Sequence, residues 1–124
     1  MPVVADDFSP ITQGDFGARF APQFLYDDNS PYNLTGATIT SKMQLVGEVN
    51  GVIGATLGTV KTCNPSNWTI DNALTGQTHY QYQSTDVDTV GVWDVYITIS
   101  IGGLPVHPDG GNGPTKQLVI LPAP

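Results

Sequence analysis

Val92-Trp93-Asp94-Val95-Tyr96-Ile97-Thr98-Ile99-Ser100-Ile101 is the stretch on which the fold turns. Trp93, Val95, Ile97, Ile99 and Ile101 fall on one side, and Val92, Asp94, Tyr96, Thr98 and Ser100 on the other. A period of two is that of a strand with one face in a core, because successive side chains leave a pleated backbone in opposite directions. A slip of one residue would put all five apolar side chains into water, so the register is firmly specified. The same rule predicts a second long strand from Ala37 to Val46. Ala37, Ile39, Ser41, Met43 and Leu45 form its apolar face, with Thr38, Thr40, Lys42 and Gln44 opposite.

Shorter pieces surround these two. Phe16, Ala18 and Phe20 alternate with Gly17 and Arg19, and Pro22 marks that strand as bent or at an edge, since proline has no N–H for a ladder. Asp27-Asp28-Asn29-Ser30-Pro31 reads as a turn. After Asn50-Gly51, the run Val52 to Thr62 reads as a weaker strand, with Ile53, Ala55 and Leu57 on one face and Gly54 and Gly58 as bulge markers. Trp68 to Ile70 and His79 to Gln83 are short strands on either side of a Thr75-Gly76 turn. Gly102-Gly103 ends the strongest run, His107 to Pro114 is a loop, and Gln117 to Leu121 is a closing strand. No segment of helical length has a 3.6-residue period. About seven to eight strands joined by turns read as an all-β immunoglobulin-like antiparallel sandwich, with a jelly roll or barrel as the alternative. Residues 15–124 form this domain. Residues 1–14 form an extended arm, either frayed or lying on a neighbour through Val3, Val4, Phe8 and Ile11.

Composition narrows the partners. Charged residues are 12% of the chain, against roughly 25% in typical soluble domains, so Thr, Ser, Asn and Gln carry the polar surface. The net charge is −7 and the four cations, Arg19, Lys42, Lys61 and Lys116, are dispersed. Nucleic acid and anionic membrane surfaces are therefore poor partners. The N-terminus lacks a basic, apolar leader pattern, and no apolar run approaches the roughly 20 residues of a membrane span. Cys63 is the single cysteine, read as a small buried apolar residue.

Chemistry is sparse. His79 and His107 have no zinc-like spacing to Cys63, and Asp86-x-Asp88 and Asp27-Asp28-Asn29 read as turn formers rather than calcium ligands. No nucleophile elbow is present, Glu48 is the sole glutamate, and Gly110-Gly111-Asn112-Gly113 lacks the lysine of a phosphate loop. No cofactor, metal or enzymatic activity is expected. Trp68, Tyr80, Tyr82, Trp93 and Tyr96 are the candidates for a sugar platform. Trp93 belongs to the core, Tyr80 or Tyr82 can anchor a corner through its hydroxyl, and Tyr96 is the surface-contact candidate.

Several pieces fall in a familiar order: Gly14-Asp15-Phe16, then Asn33-Leu34-Thr35-Gly36-Ala37-Thr38-Ile39-Thr40, and Thr75-Gly76 with Tyr80-Gln81-Tyr82. Asp86-x-Asp88-x-x-Gly91-x-Trp93 and Pro108-Asp109-Gly110 complete the series. Over about residues 14–121 this resembles the N-terminal immunoglobulin-like domain of phage baseplate upper proteins and related short phage proteins. The stretch Lys61 to Asn72 is longer than in that pattern, and no receptor-binding region follows. The resemblance implies a virion structural or accessory protein of tail, baseplate or capsid surface, assembled in the host cytoplasm. Its partners would be other phage virion proteins, in multiple copies, with homo-oligomerisation open. The alternative is a carbohydrate-binding adhesion module for host glycans.

Overall fold

A computed structural model describes residues 11–14, 19–25, 30–83, 85–108 and 116–122. Among the described residues the regular structure is all β apart from one 3-10 turn at Pro65–Asn67. Its strands are β1 (Ile11–Thr12), β2 (Arg19–Phe20), β3 (Ala37–Gly47), β4 (Val60–Thr62), β5 (Trp68–Asn72), β6 (Gln77–Gln81), β7 (Gly91–Ile101), β8 (Leu104–Val106) and β9 (Lys116–Leu121). They form two sheets: a six-stranded one in the order β1-β9-β7-β3-β4, with β8 also paired to β7, and a three-stranded one, β2-β6-β5. Every pairing is antiparallel except β1 with β9, which run parallel. This is the all-β sandwich that the alternation predicts.

β3 and β7 are the spine of the large sheet, paired from Ala37↔Ile101 to Leu45↔Trp93 before a bulge at Val46. Their inner side chains alternate as expected. Trp93, Ile97, Ile99, Met43 and Leu45 are sealed in the core with Phe24, Leu34, Leu118 and Ile120. Ser41 is the polar residue of the inner β3 row, and its hydroxyl accepts the Trp68 indole N–H at 2.9 Å across the sandwich. One polar position in the core thus ties the two sheets together without leaving a buried donor unmet.

Three segments differ from the sequence reading. Residues 11–14, assigned to the arm, are built into the sandwich. Ile11 and Thr12 lie beside Ile120 and Leu121, and Gln13 N–H donates to Leu121 O at 2.8 Å. Val3, Val4 and Phe8 lie outside the described residues. Secondly, Val52 to Thr62 is a strand only at Val60–Thr62. Asn50 and Gly51 both have positive φ (50° and 79°), which makes Val49 to Val52 a tight primed turn. The chain then leaves β3, and Gly54 N–H donates to Val90 O at 2.9 Å. A side chain there would meet the Val90 backbone nitrogen at 2.9 Å, so only glycine permits the approach. Finally, Gly102-Gly103 does not merely end β7. Its positive φ values (60° and 81°) turn the chain back as a two-residue hairpin into β8. Pro105 is tolerated there because, opposite Ser100, its nitrogen faces away from β7.

Candidate functional site

The buried polar groups converge on the turn between β6 and β7. Asp86 is buried, and its Oδ2 accepts the Tyr80 hydroxyl at 2.7 Å and the Gln83 N–H at 2.9 Å. Burial, and then the bond to Asp86, pushes the Tyr80 hydroxyl far above its ordinary value. In the same turn, the Trp93 indole N–H donates to the O of Thr89, four residues before it, at 3.1 Å. Both Tyr80 and Trp93 therefore close the corner that sequence gave to Tyr80 or Tyr82. Tyr82 packs edge-on against Tyr80, with ring centroids 5.7 Å apart.

Lys61 pins the same turn from β4. Its ammonium lies 5.1 Å from the Trp93 ring centroid and bonds Thr85 O at 2.7 Å, Thr89 Oγ1 at 3.2 Å and the Asp88 carboxylate. Desolvation alone would raise the Asp88 carboxyl. The Lys61 bond and the Thr89 hydroxyl outweigh it and hold the carboxyl below the usual aspartate range. Gln13 Nε2 adds a bond to Asp88 O at 2.6 Å. Asp86 and Asp88 are thus each committed to the fold. Among the described residues, no three His, Cys, Asp or Glu side chains come together as metal ligands.

Cys63 is buried beneath β3, its amide bonded to Ser41 O at 3.0 Å, and burial raises its thiol pKa. A protonated, sealed thiol is a poor nucleophile. His79 sits on the outer side of the small sheet, with Nδ1 2.8 Å from Asp71 Oδ2. No hydroxyl or thiol nucleophile bonds this pair among the described residues.

The surface candidate Tyr96 lies on the outer face of the large sheet, half-buried in the row Tyr96–Lys42–Thr62. The Lys42 ammonium rests 5.4 Å from its ring centroid. Thr40 and Thr98 form the next row, and the Thr98 hydroxyl is 3.3 Å from His107 Nδ1. These side chains line a shallow depression of about 280 Å³. On its other side Gln117 Nε2 donates to Asp94 Oδ1 at 3.0 Å. The result is a broad face rich in hydroxyls and amides and poor in charge. Among the described residues, two sheet-facing aromatics suited to a flat sugar platform do not occur there: Trp93, Tyr80 and Tyr82 are buried, Trp68 is bonded to Ser41, and Lys42 covers Tyr96.

Sequence reasoning missed a second surface. Of the seven exposed large hydrophobics among the described residues, Val46, Val52, Ile53, Leu57 and Val60 lie within fifteen residues of chain. Alternation in Val52 to Thr62 placed Ile53, Ala55 and Leu57 on one face of a weaker strand, whereas Ile53 and Leu57 are exposed. The interrupting glycines were the available signal that this segment leaves the sheet. Among the described residues, no helix is long and apolar enough to cross a membrane. No protein-family model, no curated protein and no solved structure matches the chain.

Proposed function

We propose that this chain is a non-enzymatic structural or accessory protein of a phage virion. It would sit in the tail, the baseplate or the capsid surface, after assembly in the host cytoplasm. It acts through protein–protein contacts with other virion proteins, in several copies. The observation that carries this reading is the outer face of the six-stranded sheet around Tyr96. It is wide, rigidly registered and weakly charged, while the interior polar groups are engaged within the fold. Contacts that are individually weak become firm when several copies engage at once. The order of the sequence motifs from Asn33 to Trp93, and their resemblance to small phage domains, gives the particle context.

Complementation tests the reading. Lys42 and Tyr96 both point outward, so a Lys42→Glu/Tyr96→Ala variant should fold with unchanged circular dichroism. It should fall several-fold in its incorporation into particles. Unchanged incorporation removes the sheet face from the contact.

A further inference from the structure

We infer that Asn50 is a self-modification site: its side-chain amide condenses with the Gly51 backbone nitrogen, and water opens the resulting ring to aspartate and isoaspartate. This chemistry needs no partner and is independent of the virion reading.

Asn50 and Gly51 are the two central residues of the tight turn between Val49 and Val52, and both are exposed. Glycine after asparagine leaves the peptide nitrogen unshielded, because no side chain stands beside it. Among the described residues, nothing bonds the Asn50 side chain or the Gly51 N–H. The other described asparagines are held differently. Asn33 Oδ1 accepts the Thr35 N–H at 2.9 Å and the Thr35 hydroxyl at 2.6 Å. Asn64 Oδ1 accepts the Ser66 N–H at 3.0 Å, and Pro65 after it has no N–H to react. Asn67 and Asn72 are followed by Trp68 and Ala73, whose side chains crowd the nitrogen. Only Asn50, among the described residues, combines a glycine neighbour with an unbonded amide.

Water is the sole co-reactant. The Gly51 nitrogen gives its proton to solvent base and attacks Asn50 Cγ. A C–N bond forms, the bond from Cγ to the side-chain nitrogen breaks, and ammonia leaves after taking up a proton. The cyclic imide then adds water at either carbonyl. Opening at Cγ returns an aspartate. Opening at the backbone carbonyl routes the chain through the side chain and lengthens it by one methylene. Nothing is oxidised or reduced.

The fold sets the pace of this step. Asn50 has φ 50° and Gly51 φ 79°. These are the left-handed corners of a primed turn, in which ψ at the first corner is about +30°. That angle carries the Gly51 nitrogen to the side of the Cα–C bond away from Asn50 Cβ, so the closed turn does not react. Two hydrogen bonds between Val49 and Val52, each 2.8 Å, close it. An exposed hairpin tip held by so few bonds opens locally at little cost, and the rate follows that opening. Conversion then works against reclosure. The extra methylene does not fit a two-residue turn, and a carboxylate appears in residues 49–60, which otherwise contain no ionisable side chain. Because Gly54 N–H donates to Val90 O, a loosened turn also weakens the hold of this segment on the start of β7.

Peptide mapping tests this. The folded chain is aged in heavy-oxygen water at mildly alkaline pH and body temperature, then digested with trypsin in ordinary water. Residues 43–61 form one tryptic peptide with Asn50 as its sole asparagine. That peptide should gain one heavy oxygen and separate into aspartate and isoaspartate forms, with fragmentation placing the change at residue 50. Ageing in urea, which removes the turn, should speed the conversion several-fold. Asn50→Gln, whose longer side chain closes the ring far more slowly, should leave the peptide unchanged with the same circular dichroism. A folded chain whose 43–61 peptide stays intact while the urea-unfolded chain converts overturns the inference, since the turn then protects the residue. Labelling of the peptide that persists in Asn50→Gln overturns it as well.

Discussion

Asp86 shows how much one buried carboxylate does here. It receives the Tyr80 hydroxyl and the Gln83 amide, so removing it orphans two donors at once. Asp86→Ala should therefore cost about 2–4 kcal/mol in urea unfolding, since each buried donor left unmet costs about 1–3 kcal/mol. Tyr80→Phe, which removes one donor with its bond, should cost less. Tyr80 also sets an alkaline limit. Its folded pKa is raised above the ordinary value, so its contribution is full below about pH 10 and is lost as pH rises beyond it. The wild type should destabilise on that limb, and Tyr80→Phe should flatten it. Asp88 acts with the opposite sign. Its folded pKa is lowered, so its contribution holds above the ordinary aspartate range and fades as pH falls through the folded value. Lys61→Met should weaken that acid-side dependence. Cys63, sealed and protonated, should react with a thiol reagent only on global unfolding. Fast labelling of the folded chain would contradict its placement.

At the level of elements, the two long strands were legible, as were the shorter ones at Trp68–Asn72, Gln77–Gln81 and Lys116–Leu121, whereas β8 was not. β3 and β7 each repeat their alternation over several periods, and the residues expected inside are inside, with Ala37 and Ile101 only partly covered. β8 has three residues, one of them Pro105, and exists because Gly102-Gly103 folds them onto β7. Its pairing is a tertiary fact that three residues cannot announce. The segment from Val52 to Thr59 shows the reverse error. Its alternation imitates a strand, but Gly54 is drawn to Val90, and the apolar side chains remain outside. Gly54→Ala should accordingly be destabilising by about 1–3 kcal/mol through overpacking against the Val90 backbone, measured by thermal melting. Of the candidate site, Tyr96 was legible because it shares the polar face of the clearest strand. Its partners Lys42 and Thr62 come from other strands, and only pairing register brings them beside it.

Across the whole molecule, the turn between β6 and β7 acts as a clasp. Gln13, Gly54, Lys61, Tyr80 and Trp93 reach it from five separate places in the chain. The sandwich is thereby closed by polar contacts at one end. Because residues 11–14 belong to the sheet, the fold sets where the N-terminal segment can be cut. Deleting residues 1–10 should leave the melting temperature nearly unchanged, and deleting 1–14 should lower it by several degrees through loss of β1. If the arm docks on a neighbour, the shorter deletion alone should reduce particle incorporation. Quantitative mass spectrometry of gradient-purified virions tests the assignment to a particle most directly. The account predicts this chain at a fixed ratio to the major structural proteins through successive gradients. Its exclusive recovery in the soluble fraction of the infected cell would contradict it.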